Sequence, residues 1–263
     1  MEVQFSKYQG AGNDFILIDD RSELFDIGDE KLIRFLCDRR FGIGADGLML
    51  LRQSDHFDFK MVYFNSDGRE GSMCGNGGRC IVAFARDMAV IDGKTVFDAV
   101  DGKHEAAIEE HKNQYWVALG MTDVTHIEAI GDAAYLNTGS PHYVLASNNI
   151  NELDVVSEGR KVRYNERFAQ EGTNVNFLQV TAKDRIAVRT YERGVEDETL
   201  ACGTGVTAAA IYAHYKRMID GNQVLIDALG GQLKVRFDFS SGNYTHVVLE
   251  GPAKFVFKGV IHV

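Results

Sequence analysis

The chain has 263 residues, enough for one or two domains with a full hydrophobic core. With 45% hydrophobic and 25% charged residues it has the balance of a globular protein, which excludes wholesale disorder and a coiled coil. The net charge of −10 repels phosphate backbones and no basic stripe offsets it, so nucleic-acid partners are not expected. No apolar run approaches the length of a membrane span, so no membrane partner is expected either. Met1 to Lys7 is polar and lacks a signal-peptide core. Four cysteines are too few to staple a secreted scaffold, which points to a reducing cytoplasm.

Glycines, at 27 against 2 prolines, make most of the turns. In chain order the pattern predicts a strand over Asp14–Asp19, then a surface helix over Asp29–Arg40. That helix carries Leu32, Ile33, Phe35 and Leu36 on one side. Strands follow at Leu48–Leu51 and Phe59–Phe64. A second helix is predicted over Gly78–Met88, followed by strands at Thr95–Val100 and Tyr115–Leu119. The second half continues with strands at Asn174–Val180 and Arg185–Tyr191, a third helix over Gly205–Arg217, and strands at Val224–Leu229 and His246–Glu250. The second and third helices are apolar nearly all round, which marks helices buried on most faces. Two such helices among many strands predict an α+β fold of two sheets, each wrapping a central helix.

Both buried helices begin alike. One follows Met-Cys-Gly-Asn-Gly-Gly-Arg, Met73 to Arg79; the other follows Ala-Cys-Gly-Thr-Gly, Ala201 to Gly205. Cys74 and Cys202 stand about half the chain apart, as in an internal repeat. A helix N-terminus has unpaired N–H groups and the positive end of the macrodipole, so a thiol there ionises more easily. The glycine after each cysteine lets a ligand approach those N–H groups. A carboxylate held by both helix starts would be stabilised as charge develops on it. One thiolate could then take a proton from the adjacent carbon while the opposite thiol returns one from the other face. That chemistry needs no cofactor.

The other cysteines read differently. Cys37 and Cys80 lie within apolar helical pattern and are expected to be small buried hydrophobes. No Cys-x-x-Cys occurs, and His104 begins His-Glu-Ala-Ala-Ile rather than a metalloprotease motif, so no metal site is expected. Gly42, Gly44 and Gly47 are spaced as in a dinucleotide fingerprint, with Asp67 downstream. A helix precedes them and a strand follows, the reverse of that motif's order, so they read as a turn.

The chain resembles the diaminopimelate epimerase family of cofactor-independent two-cysteine racemases. The likeness runs through Gly10–Phe15, Phe41–Gly47, Tyr63–Gly68, Met73–Arg79, Gly139–His142, Gly172–Phe177, Tyr191–Gly194 and Glu198–Gly205. It implies interconversion of LL- and meso-diaminopimelate, a step toward lysine and the cell-wall cross-link. By position it implies Cys74 and Cys202 as the acid/base pair. Gly75 and Asn76 from one helix, and Gly203 and Thr204 from the other, would offer backbone N–H groups to the reacting carboxylate. Asn13 matches a ligand near the reacting centre, and Asn65, Asn174 and Arg193 match ligands of the distal head group. His142 and Glu192 match positions that tune the site, Glu192 also touching substrate.

The resemblance further implies two pseudo-symmetric domains, each a mainly antiparallel sheet around a central helix, with the active site in the cleft between them. The domains would be 1–117 completed by 252–263, closed by a strand near Lys254–Lys258, and 118–251. It implies a homodimer and neither cofactor nor metal. Some relatives carry Gln where Gly47 stands and Asn where Ser140 stands, and Gly194–Glu198 is one residue longer than in some of them. A racemase for another amino acid therefore stays open, as does, from a different class, a redox sensor that joins Cys74 to Cys202.

Overall fold

Strand-forming segments dominate, and each central helix sits in a crossover between two parallel strands. The computed structural model describes residues 2–112 and 114–263. The chain divides into two units, Met1–Leu119 with Gly251–Val263, and Gly120–Glu250.

The first unit contains β1 (Glu2–Gly10), β2 (Asn13–Asp19), α1 (Glu30–Cys37), β3 (Gly47–Arg52), β4 (Phe59–Asn65), α2 (Gly75–Asp87), β5 (Lys94–Ala99), β6 (Gly102–His111) and β7 (Gln114–Gly120). The strands lie side by side in chain order, β1 to β7. β2 pairs with β3 and β4 with β5 in parallel; the remaining neighbours run antiparallel. A parallel pair needs a crossover, and α1 and α2 supply the two. α1 covers the core formed by Ile16, Leu48, Leu50 and Phe64 with its own Ile33, Leu36 and Cys37. α2 packs on β1, β2, β3 and β6, and Gly75 to Ala85 are all buried.

The second unit repeats this plan. It contains β8 (Ile127–Ile130), β9 (Ala133–Asn137), β10 (Pro141–Ala146), α3 (Val155–Arg163), β11 (Asn174–Ala182), β12 (Arg185–Glu192), β13 (Asp197–Thr199), α4 (Gly203–Tyr215), β14 (Gln223–Ala228), β15 (Gly231–Ser240) and the first part, up to Glu250, of β16 (Asn243–His262), whose remainder belongs to the first unit. The sheet order is β8-β9-β10-β11-β12-β14-β15-β16, with β13 on β12. The parallel pairs are β10 with β11 across α3, and β12 with β14 across α4. Gly203 to Ala213 of α4 are buried, as in α2. Each unit is thus a mainly antiparallel sheet with a buried helix in one crossover and a half-exposed helix in the other.

Several elements differ from expectation for local reasons. α1 stops at Cys37 rather than Arg40, because Asp38 Oδ1 accepts the N–H groups of Arg40 and Phe41 and turns the chain out of the helix. Gly42 follows where a Cβ would lie 1.9 Å from Phe35 O, so only glycine fits there. The run from Gly42 to Gly47 links α1 to β3, as the turn reading expected. The two closing strands expected at His246–Glu250 and Lys254–Lys258 are one strand, β16. It pairs β15 up to Glu250 and β1 from Lys254. Pro252, which has no N–H to donate, falls between those two ladders. α3 is a further helix, too polar along its length to stand out by apolar pattern.

α3 lies on β12 through Gly159, where a Cβ would meet Tyr191 Cβ at 2.4 Å and Cγ at 2.5 Å. Alanine is the better helix former by about 1 kcal/mol, but overpacking against a fixed side chain costs about 1–3 kcal/mol. Gly159→Ala should therefore lower the urea midpoint. A raised midpoint would show that α3 can move off β12 freely.

Candidate active site

α2 starts immediately after Cys74, three residues earlier than the pattern predicts. Gly-Asn-Gly-Gly is poor helix material, so burial carries that first turn rather than propensity. Cys74 is the N-cap, extended at φ −108° and ψ 117°, and its Sγ accepts the Gly77 N–H at 3.4 Å. α4 starts two residues earlier than predicted, directly after Cys202, which caps it at φ −112° and ψ 113°. The two thiols therefore occupy the same place on matching helices. Their surroundings differ. Cys74 is half-buried, whereas Cys202 is buried, takes no capping N–H on its sulfur and has Thr204 Oγ1 at 3.5 Å.

Around Cys74 the polar groups form a chain. Asn76 Nδ2 donates to Asn13 Oδ1 at 2.6 Å, and Asn13 Nδ2 donates to Asp46 Oδ2 at 3.0 Å. Arg39 bridges Asp46 and Asp14, each at 2.7 Å. Burial raises the Asp14 carboxyl, but the bonds from Arg39 and Lys7 outweigh it and bring it down to about 2. Asp46 thus fixes which way the Asn13 amide faces, leaving it one N–H and one lone pair to offer. Gly75 lies beside Cys74 in the buried first turn. Asn65 ends β4 and is exposed. At Gly47 a Cβ would meet the Tyr63 ring at 2.5 Å and Phe64 O at 2.6 Å. The ring of Tyr63 excludes any side chain there, which accounts for the glycine.

Around Cys202 the hub is Asn176. It is fully buried on β11, its Nδ2 donates to His142 Nδ1 at 3.0 Å, and its Oδ1 accepts from Thr190 Oγ1 at 2.9 Å. With Nδ1 accepting, the proton of neutral His142 sits on Nε2. That atom is buried and has no hydrogen-bond partner among the described residues. Burial, helped by the positive Arg193, brings the imidazole down to about 3, so it is neutral at ordinary pH. The same Asn176 Oδ1 lies 2.3 Å from where a Gly205 Cβ would be, so the glycine lets α4 approach this hub.

Asn174 Oδ1 accepts the Arg193 N–H at 2.9 Å and its Nδ2 donates to Pro141 O at 3.2 Å. Arg193 is exposed and donates to Glu171 O at 3.0 Å, with no carboxylate paired to it among the described residues. Glu192 Oε2 accepts Thr199 Oγ1 at 2.9 Å. Thr204 O accepts Thr138 Oγ1 at 2.8 Å, and Gly203 O accepts Thr207 Oγ1 at 2.9 Å, which secure the first turn of α4.

Asn13, Asn76 and Cys74 are thus gathered in one unit; His142, Asn174 and Arg193 with Cys202 and Thr204 belong to the other. Asn176, Thr190, Asp46 and Arg79 were not singled out by motif. Asn176 could have been, since it alternates with Asn174 along one strand and so shares its face. Cys37 and Cys80 are buried, and burial pushes both thiols up to about 12. None of the four cysteines is joined in a disulfide. Among the described residues no group of three or more His, Cys, Asp or Glu could hold a metal, and no helix is long and apolar enough to cross a membrane.

The sequence matches the family described as diaminopimelate epimerase twice, over residues 5–127 and 134–256. It is 49% identical over 259 residues to a diaminopimelate epimerase of Flavobacterium psychrophilum, spanning 98% of this chain and 100% of that one. It is 43% identical to the diaminopimelate epimerase of Chlorobaculum tepidum, over 96% of this chain and 98% of that one. Among solved structures it is similar to a phenazine biosynthesis protein of the PhzF family from Bacillus anthracis. The TM-score is 0.78 at 12% identity, covering 100% of both chains. A hydroxyproline epimerase from Agrobacterium vitis gives 0.73 at 12% identity, over 99% of this chain and 92% of that one. At such identities the likeness is one of fold.

The buried imidazole has a pH signature. Unfolded, His142 regains its ordinary value of 6.5 and binds a proton that the folded protein refuses down to about 3. Its neutral state favours folding fully above 6.5, and that advantage is lost as pH falls through this window. In His142→Leu the acid loss attributable to this group should vanish, so wild type should lose more of its urea midpoint between neutral pH and acid than the variant does. A pH-independent difference would mean that His142 does not stay neutral in the fold.

Proposed function

The chain belongs to the diaminopimelate epimerase family, and on that premise we propose that it interconverts LL- and meso-diaminopimelate by two-thiol proton transfer. The observation that carries the mechanism is the repeated one: in each unit a cysteine caps the N-terminus of a buried helix. The substrate's reacting carboxylate lies against the backbone N–H groups of Gly75, Asn76, Gly203 and Thr204. A helix leaves these first-turn groups without internal acceptors, and the dipole favours an anion there.

One sulfur, as thiolate, takes the α-proton. The electron pair left on carbon spreads into the carboxylate, where the helix ends stabilise it. The other sulfur, as thiol, gives its proton to the opposite face of the same carbon. The stereocentre is inverted, the first sulfur ends as thiol and the second as thiolate, so protons balance without a cofactor.

The distal head group explains the remaining residues. Arg193 offers an exposed guanidinium, with no carboxylate paired to it among the described residues, to the second carboxylate, and the Asn65 and Asn174 amides receive the second ammonium. Asn13, turned by Asp46, serves the reacting end. His142 Nε2–H is a buried donor with no acceptor among the described residues, a cost of about 1–3 kcal/mol that a substrate acceptor would remove. Glu192 lies next to Arg193 and is held by Thr199. The reading includes a cytoplasmic homodimer. Support for pairing is the apolar run Phe255, Val256, Phe257 and Val260, exposed on β16.

Reduced protein in deuterated water should place deuterium at a single α-carbon of LL-diaminopimelate. Cys74→Ala and Cys202→Ala should each lower inversion by about a hundredfold or more. No exchange, or undiminished turnover in both variants, would sink the assignment. A preference for another amino acid across a substrate panel would shift it to a sister racemase.

A further inference from the structure

The two thiol-bearing turns are copies that differ by one charge. Cys-Gly-Asn-Gly-Gly-Arg, Cys74 to Arg79, matches Cys-Gly-Thr-Gly-Val-Thr, Cys202 to Thr207. Arg79 and Thr207 hold the same place and make the same bond: Arg79 Nη1 donates to Gly75 O at 3.2 Å, and Thr207 Oγ1 donates to Gly203 O at 2.9 Å. Both side chains are fully buried. Thr207 is neutral, whereas Arg79 brings a full positive charge to the root of α2.

The other bonds of Arg79 go to Asn76 Oδ1 at 2.9 Å and Pro252 O at 3.4 Å, so all its acceptors are neutral. A buried cation without a counter-charge is costly, and something must compensate it. Burial disfavours the charge on Arg79, and among the described residues the acidic groups that offset this are the thiols of Cys80 and Cys74. Cys80 is itself fully buried and remains protonated. Among the described residues, the elements packed on α2 supply no free carboxylate to replace them. On β1, Tyr8 is bonded to Asp87; on β2, Asp14 is held by Lys7 and Arg39; on β6, His104 is bonded to Asp101. β3 meets the turn with the thioether of Met49.

We propose that Arg79 is a positioning residue whose fixed charge keeps Cys74 as the thiolate in the substrate-free enzyme, making Cys74 the resting base and Cys202 the resting acid. The capping bonds agree, since Cys74 Sγ accepts the Gly77 N–H while the Cys202 side chain makes no capping bond at its own helix start. The proposal rests on the reading of these two cysteines as the acid/base pair. It assigns the asymmetry that a two-base reaction needs: one sulfur must be charged and its counterpart must not. After each turnover in which Cys74 acts as base, the charge has moved to Cys202. Arg79 then favours its return to Cys74 before the next substrate.

The test is site-resolved alkylation. Iodoacetamide labelling of wild-type protein is followed from about pH 5 to about pH 10, with each thiol quantified by peptide mass spectrometry. Cys74 should show its labelling midpoint about one pH unit or more below that of Cys202. In Arg79→Met the Cys74 midpoint should rise by about one unit while that of Cys202 stays in place, and Arg79→Lys should restore most of the shift. A Cys202 midpoint at or below that of Cys74 in wild type overturns the proposal, and this needs no variant to fold. So does an unmoved Cys74 midpoint in folded Arg79→Met, which is the outcome if Arg79 only braces the turn. The labelling order is independent of turnover. An enzyme that shows the order but exchanges no α-proton would refute the acid/base reading and leave the role of Arg79 in ionising Cys74 intact.

Discussion

A helix start with no acidic residue in its first turn is the constraint on which both halves of this protein depend. α2 and α4 each lack an acidic residue there, and a sulfur occupies the cap position where Ser, Thr, Asp or Asn would ordinarily sit. A thiol is a poorer cap than a hydroxyl or a carboxylate, so these helices give up local stability at their N-termini. Burial makes up the deficit: the first eleven residues of both helices are buried within their sheets. The positive end of the dipole and its N–H groups are thereby kept for an anionic ligand rather than spent on the chain's own carboxylates.

The polar groups around each cap act by fixing orientation. Asp46, gripped by Arg39, turns the Asn13 amide, which in turn accepts from Asn76 beside Cys74. Asn176, braced by Thr190, sets the His142 tautomer so that its proton points away from the hub. Neither device contributes charge to the reacting atoms. In the proposed reaction both would reduce the reorganisation needed when charge develops. Arg79 is of another kind, because it breaks the symmetry that the repeat would otherwise impose on the two sulfurs.

How far the sequence could be read depended on the physics of each segment. The buried helices were legible because apolar residues on all sides have few alternative readings, and the twin Cys-Gly-polar-Gly turns marked their starts. Their first turns were placed late, since Gly75 to Gly78 have low intrinsic helix propensity and are held by tertiary contacts that no local pattern reveals. α3 escaped because it is polar and meets its sheet through Gly159 and a few flanking side chains. The strand at Lys254 was legible by alternation, but its fusion with the preceding strand was not, because Pro252 ordinarily signals a break. Within the site, cysteines, amides and the arginine were read from motifs. Asn176 and Arg79 act through other residues, and such roles depend on burial and on the absence of competing partners, which only coordinates supply.

The central claim is that two helix-capping sulfurs, one from each repeat, serve opposite faces of one carbon. A crystal structure of the reduced protein with diaminopimelate bound tests it most directly. The account predicts the Cys74 and Cys202 sulfurs in van der Waals contact with the same α-carbon from opposite sides, its carboxylate on the N-termini of α2 and α4. A complex in which only one sulfur approaches that carbon, or in which the two sulfurs contact different carbons, would contradict it.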